Sequence, residues 1–307
     1  MDYDFEIPRI CEEIKKRNAK RVLIQLPEGI KVHSKQIADE ITEKTCCEVI
    51  ISGDPCFGAC DIQKLPECEL TVHFAHSKMI DDPNTIYIEC AYKKDLTSMV
   101  QNITGKLKGK KVGLVATVQH IHEISKIKEL LKKNGIDVFV GKKGALCAHD
   151  SQVLGCDAGS AIDVKDKVDI FLFIGSGEFH PLLVAYETKK PVLKLNPYTD
   201  KTDIVNADSW EKEKHLRMDK AHDANTLAVV VGTKPGQRHM NQAEDIKKKL
   251  ESQGKKAYLV SMNNVTPEKI DYLPFDAFVI TACQRIVMDD WKNYRKPLLL
   301  PDEIEGL

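Results

Sequence analysis

Three loop words in this chain place a cysteine among small residues: "GDPCFGACD" (53–61), "LGCDAGSA" (154–161) and "ITACQRIV" (280–287). Thiolates are soft ligands that suit zinc, copper(I) and iron–sulfur clusters, and they are nucleophiles when their pKa is low. From spacing alone, Cys56 and Cys60 form a C-x3-C half-site for zinc. The histidine pairs His73/His76 ("HFAH") and His120/His122 ("QHIHE") are further candidate ligands. No C-x2-C follows Cys60, so the compact three-cysteine word of the common radical enzymes is absent. Cys11, Cys46, Cys47, Cys68 and Cys90 read as helix or strand positions, where a free cysteine is a small core residue. Cys56 and Cys147 stand in loops and stay open.

The compartment narrows the chemistry. The opening "MDYDFEIPRI" is acidic and lacks the apolar core of a secretion signal. No apolar run approaches the ~20 residues of a membrane span. The expected location is cytoplasmic, where thiols stay reduced and a cysteine pattern signals metal or catalysis. Forty-five Lys and Arg balance 46 Asp and Glu, for a formal net charge of -1, with no clustered basic excess. That argues against a nucleic-acid partner. Lys-rich stretches such as "KIKELLKKNG" read as solvated helix faces.

The elements that must position these cysteines recur three times. A buried-type apolar run ends in a turn at "RVLIQLPEG", "KVGLVATVQH" and "LAVVVGTKPGQ". An amphipathic helix follows each: Ile37 and Ile41 in the first, Ile124, Ile127, Leu130 and Leu131 in the second, Ala243, Ile246 and Leu250 in the third. Second, third and fourth strands complete each unit. The third strands are "ELTVHFAH", "DIFLFIGSGEFH" and "DAFVITACQR", read as ending in His76, His180 and Arg285. Strand–helix–strand order of this kind predicts right-handed crossovers and parallel sheets. The expected architecture is three related α/β domains around a pseudo-threefold axis, at 1–105, 106–215 and 216–307.

Ligands of open parallel sheets bind at the carboxyl ends of strands. Cys60 and Cys156 fall between second and third strands of their units, and Cys283 ends the third strand of the last. Each domain thus supplies one cysteine to the same end of its sheet. Three converging thiolates suit a [4Fe–4S] cluster with one iron left open.

Taken together, "GDPCFGACD", "HFAHS", "GCDAGSA", "IGSGEFHP", "KPGQ" and "TACQRI" resemble the archaeal-type diphthamide synthesis enzymes, the 3-amino-3-carboxypropyl transferases of the first step. The resemblance runs in order from Arg21 to Asp302. It implies a [4Fe–4S] cluster held by Cys60, Cys156 and Cys283, with S-adenosylmethionine as co-substrate. It implies cleavage of the bond between sulfur and the γ-carbon, release of methylthioadenosine, and transfer to a histidine imidazole carbon of translation elongation factor 2. It implies a homodimer and an electron donor. Arg285 and Gln237 are then candidate donors to the substrate carboxylate. Asp54 and His180 are candidates for the amino group or the incoming imidazole. Two other readings stay open here: a quinolinate-synthase-like dehydratase with an open-iron cluster, and a non-catalytic zinc protein.

Overall fold

The computed structural model describes residues 2–307. Among the described residues thirteen strands fall into three sheets. The first holds β1 (Arg21–Gln25), β2 (Glu48–Ile51), β3 (Leu70–Phe74) and β4 (Thr85–Ile88). The second holds β5 (Lys111–Ala116), β6 (Asp137–Phe139), β7 (Ile170–Ile174), β8 (Val192–Asn196) and β9 (Lys201–Val205). The third holds β10 (Thr226–Gly232), β11 (Lys256–Met262), β12 (Ala277–Ile280) and β13 (Leu298–Leu299). Their orders are β2-β1-β3-β4, β6-β5-β7-β8-β9 and β11-β10-β12-β13, one four-strand plan used three times. All pairings are parallel except β8 with β9. The central strands are the continuous apolar runs, because a strand covered on both faces has no polar side to show.

The described residues form ten α-helices, one before β1 and the rest between strands: α1 (Ile7–Arg17), α2 (Ser34–Thr45), α3 (Thr97–Leu107), α4 (Ile124–Lys133), α5 (Gly159–Ile162), α6 (Phe179–Thr188), α7 (Asp208–Ala221), α8 (Met240–Ser252), α9 (Pro267–Asp271) and α10 (Gln284–Met288). The expected amphipathic faces of α2, α4 and α8 are buried against their own sheets, apart from a half-buried Leu130. In each unit a 3₁₀ turn precedes the motif's first helix, at 28–33, 118–123 and 235–237.

Both expected boundaries fall within helices. The division at 105/106 falls inside α3, whose Met99, Val100, Ile103 and Leu107 join the core of the second sheet. The division at 215/216 falls inside α7, which packs on β13 and the C-terminal turn at 301–306. There a fully buried Arg217 donates to Glu303 at 2.6 Å. The apolar signal of α7 is thin, and β9 ("KTDIV") has no apolar run, so neither element announced itself.

One core runs between the second and third sheets. Phe171 and Phe173 meet Ala228, Val230, Phe278 and Ile280 there, each phenylalanine contributing roughly 1.5–3 kcal/mol by burial. The third strands are shorter than expected. β3 stops at Phe74, and His76 follows Ala75 in the left-handed region (φ 63°). β7 stops at Ile174, and a turn through Gly177 (φ 79°), a conformation that favours glycine, leads His180 into α6. β12 stops at Ile280, so Cys283 caps α10 and Arg285 lies in its first turn. Among the described residues no helix is long and apolar enough to cross a membrane.

Candidate active site

Cys60 lies in the β2–β3 connection, Cys156 in the β6–β7 connection, and Cys283 just beyond β12. All three follow carboxyl ends of parallel strands, and none is in a disulfide. Their thiols share one electrostatic neighbourhood. Cys156 is open to solvent, yet desolvation by the surrounding protein is the first cause that raises its thiol to about 12. The Cys283 and Cys60 thiols push it further. Burial also raises Cys283, partly opposed by the Arg285 backbone N–H. Burial raises Cys60, partly opposed by the Gln237 amide. Three thiols that resist ionisation together fit a positively charged inorganic core, which would neutralise all three at once. The donor set is also right for it: three soft sulfurs, with the neighbouring carboxylates of Asp61 and Asp157 engaged elsewhere.

Cys60 is held by residues of the turn that follows β10. Gln237 donates from Nε2 to its Sγ at 3.3 Å, and the Gly236 N–H donates to its carbonyl at 2.9 Å. A Cβ on Gly236 would stand 2.5 Å from the Cys60 Cα, so this backbone approach requires glycine. Lys234 donates to the next residue, Asp61, at 2.6 Å, with both side chains buried. The same ammonium sits 4.4 Å from the ring centre of Phe57. Cys156 is held by its own unit. Asp157 accepts from the backbone N–H groups of Leu146 (2.7 Å) and Gly159 (2.8 Å).

Beside Cys60 runs a chain of buried polar groups. Gln25 donates to the Asp61 carbonyl at 2.7 Å and accepts from the Gln63 N–H at 3.1 Å. Its Oε1 also meets His73 Nδ1 at 2.9 Å, and His73 Nε2 meets His76 Nδ1 at 3.0 Å. Burial holds His73 down to about 3 and His76 to about 4. His180 also falls to about 4, by burial and then by the charge of Arg285. All three imidazoles are neutral near pH 7. Cys56 is buried and pushed up to about 12, by desolvation first and then by Asp61.

Of the expected residues, Gln237 therefore points its amide at the Cys60 sulfur. Arg285 is exposed, with Nε on Asp289 at 3.1 Å and its terminal nitrogens otherwise without a hydrogen-bond partner among the described residues. Asp54 stands on an exposed turn whose carbonyl accepts from Lys31 at 2.8 Å. His120 and His122 do not join the site: the His120 ring is buried against Tyr92 and Tyr198 with no hydrogen-bond partner among the described residues, and His122 is exposed. Cys147 is buried beside Asp157. Cys11, Cys47 and Cys90 are core residues as expected, but Cys46 is exposed in a left-handed helix end and Cys68 is half-buried in a turn. Sequence reasoning missed Gln25, Asp61 and Lys234. The signal for Asp61 was the Cys-Asp pair shared by "GACD" and "GCDA".

A family model described as "Putative diphthamide synthesis protein" matches residues 26–307. The chain belongs to the diphthamide synthesis family. It is 36% identical to the 2-(3-amino-3-carboxypropyl)histidine synthase of Pyrococcus horikoshii, over 98% of this chain and 90% of that protein. It is 28% identical to the synthase of the same name from Methanocaldococcus jannaschii, over 99% and 89%. A crystal structure of Dph2 from P. horikoshii superposes with a TM-score of 0.90 at 34% identity, covering 99% of this chain and 91% of that one. A second structure of that protein, with a 4Fe-4S cluster, also gives a TM-score of 0.90, at 34% identity over 99% and 90%. Within the diphthamide synthesis family, then, this fold is known to carry the cluster that the three thiols here would suit.

Proposed function

We propose that this protein catalyses the first step of diphthamide biosynthesis. It moves the 3-amino-3-carboxypropyl group of S-adenosylmethionine to the imidazole carbon of a histidine on translation elongation factor 2 and releases methylthioadenosine. What supports this reading is that the thiols of Cys60, Cys156 and Cys283, one from each unit, are near enough to raise one another's pKa, in a chain of this family. Cys60, Cys156 and Cys283 would hold a [4Fe–4S] cluster. When bound, the cluster supplies an electron for reductive cleavage of the sulfur–γ-carbon bond and an open iron that orients the sulfonium.

The chain's own residues then have distinct tasks. Gln237 donates a hydrogen bond to the Cys60 sulfur, which fixes that ligand and tunes the cluster's potential. Arg285 offers its terminal nitrogens as a fork for the substrate carboxylate. His180, held neutral, has a ring nitrogen to accept from the substrate's amino group or the incoming imidazole. Asp54 would meet a cationic group only at the outer edge of the loop, where it is exposed. Phe57, 58% exposed beside Lys234, is a surface against which a substrate loop can rest. The protein acts as a cytoplasmic homodimer supplied by a separate electron donor. Its three domains follow the three sheets, with α3 belonging to the second core and one apolar core shared between the second and third sheets.

The test is anaerobic. Cluster-loaded protein is mixed with dithionite, S-adenosylmethionine and elongation factor 2, and both nucleoside and factor are analysed by mass. Methylthioadenosine and a modified histidine are expected. Formation of 5′-deoxyadenosine, or no cleavage by a cluster-loaded protein, would overturn the proposal.

A further inference from the structure

The two cysteines of the C-x3-C word turn to different neighbours. Cys60 takes the amide of Gln237 from the third unit. Cys56 faces His73 and His76 of its own unit, and ligand atoms of these three residues lie within 4.8 Å of one another. We propose that Cys56, His73 and His76 form a second metal site, separate from the three cluster cysteines, that takes zinc or a like divalent cation with one position left to water.

The geometry is close to what zinc requires. Zn–N and Zn–S bonds of about 2.0–2.3 Å place tetrahedral ligands roughly 3.5 Å apart. The present spread therefore needs to close by about an ångström. His73 is already oriented as a ligand. The Gln25 amide is fixed by two backbone groups, its nitrogen on the Asp61 carbonyl and its oxygen on the Gln63 N–H. That oxygen accepts the proton of His73 Nδ1 at 2.9 Å, so the tautomer is set and Nε2 carries the lone pair. A ligating histidine is usually held by such a hydrogen bond on its other nitrogen. Without metal, the His73 Nε2 lone pair accepts from His76 Nδ1 at 3.0 Å. With metal, the His76 proton moves to Nε2, or its ring presents the other nitrogen. Cys56 comes from a loop tied to the same network, its neighbour Phe57 donating to Asp61 at 3.4 Å. Sulfur and imidazole nitrogen together favour zinc over magnesium or calcium.

The experiment uses the full chain with its cluster loaded anaerobically, and zinc and cobalt(II) as probes. Zinc bound per chain is counted after dialysis, and cobalt is followed by its sulfur-to-metal charge-transfer band. The proposal predicts one zinc per chain in addition to the iron, and a cobalt band that persists when Cys60, Cys156 and Cys283 are all changed to alanine. Cys56→Ser should abolish that band. His76→Ala truncates a half-buried side chain and should weaken zinc by at least roughly 10–100-fold, read in protein whose folding is checked by circular dichroism. No cobalt band in the unaltered chain would overturn the proposal. So would a band that survives Cys56→Ser but vanishes in the triple alanine variant, or an unchanged zinc affinity in a folded His76→Ala protein.

Discussion

The loops that carry Cys60 and Cys156 share a word, Cys-Asp after a small residue, but they are built on opposite principles. At Cys60 the aspartate reaches across to the third sheet, where Lys234 meets it in a buried ion pair beside Gly236 and Gln237. At Cys156 the aspartate turns inward and ties its own loop through two backbone N–H groups. The first cysteine is placed by a contact between units, the second by local turn chemistry. A site assembled from three sheets needs one ligand to register the units and can let another stay exposed for access. Cys156 is the exposed one.

That contrast is easiest to break at the ion pair. Lys234→Met leaves the buried Asp61 carboxylate without its charged partner, which costs about 3–5 kcal/mol. Urea unfolding of the cluster-free protein should show the loss, with reduced cluster loading. Asp157→Ala should cost less, about 2 kcal/mol, because it removes hydrogen bonds to a charged acceptor at an open edge. Hydrogen exchange should quicken in residues 142–163 and leave the Cys60 loop unchanged. Spread of the effect to that loop would erase the distinction.

The buried histidines repeat the contrast. His73 and His76 are wired to Gln25, whereas the His120 ring in the second unit has no hydrogen-bond partner among the described residues. Its folded pKa is held at about 4, below the value near 6.5 of an unfolded chain, so the unfolded state takes up the proton first as pH falls. The stability of the neutral form is complete above about 6.5 and declines as pH falls toward 4. His120→Leu should flatten this slope by about 1.4 kcal/mol per pH unit without loss at pH 7, read from unfolding midpoints across that range. The smallest effect is at Gln237. Gln237→Leu removes one N–H···S bond, about 1 kcal/mol, and should shift the cluster's reduction potential to more negative values in spectroelectrochemical titration.

Much of the frame was legible because each unit repeats it. Continuous apolar runs mark central strands, and periodic faces such as Ile124, Ile127 and Leu131 mark the crossover helices. The expectation that Cys60, Cys156 and Cys283 share one neighbourhood rested on topology, since each follows the carboxyl end of a parallel strand. What did not follow was anything set by contacts between distant segments. Lys234 looks like any loop lysine until Asp61 is beside it, 173 residues away. His180 was read as the end of a strand because "IFLFIGSGEFH" continues its apolar tone into α6, and only the Gly177 turn separates the two. Arg217 sits in a helix whose pattern is mostly polar, and its burial depends on Glu303 far along the chain.

The most direct test of the central claim, one ligand from each sheet, is an iron and sulfide count on anaerobically reconstituted single variants, with the reduced cluster followed by electron paramagnetic resonance. The account predicts about four irons and four sulfides per chain in the unaltered protein and in Cys68→Ala, and loss of the signal in Cys60→Ala, Cys156→Ala and Cys283→Ala. An intact cluster signal in any one of those three variants would contradict it.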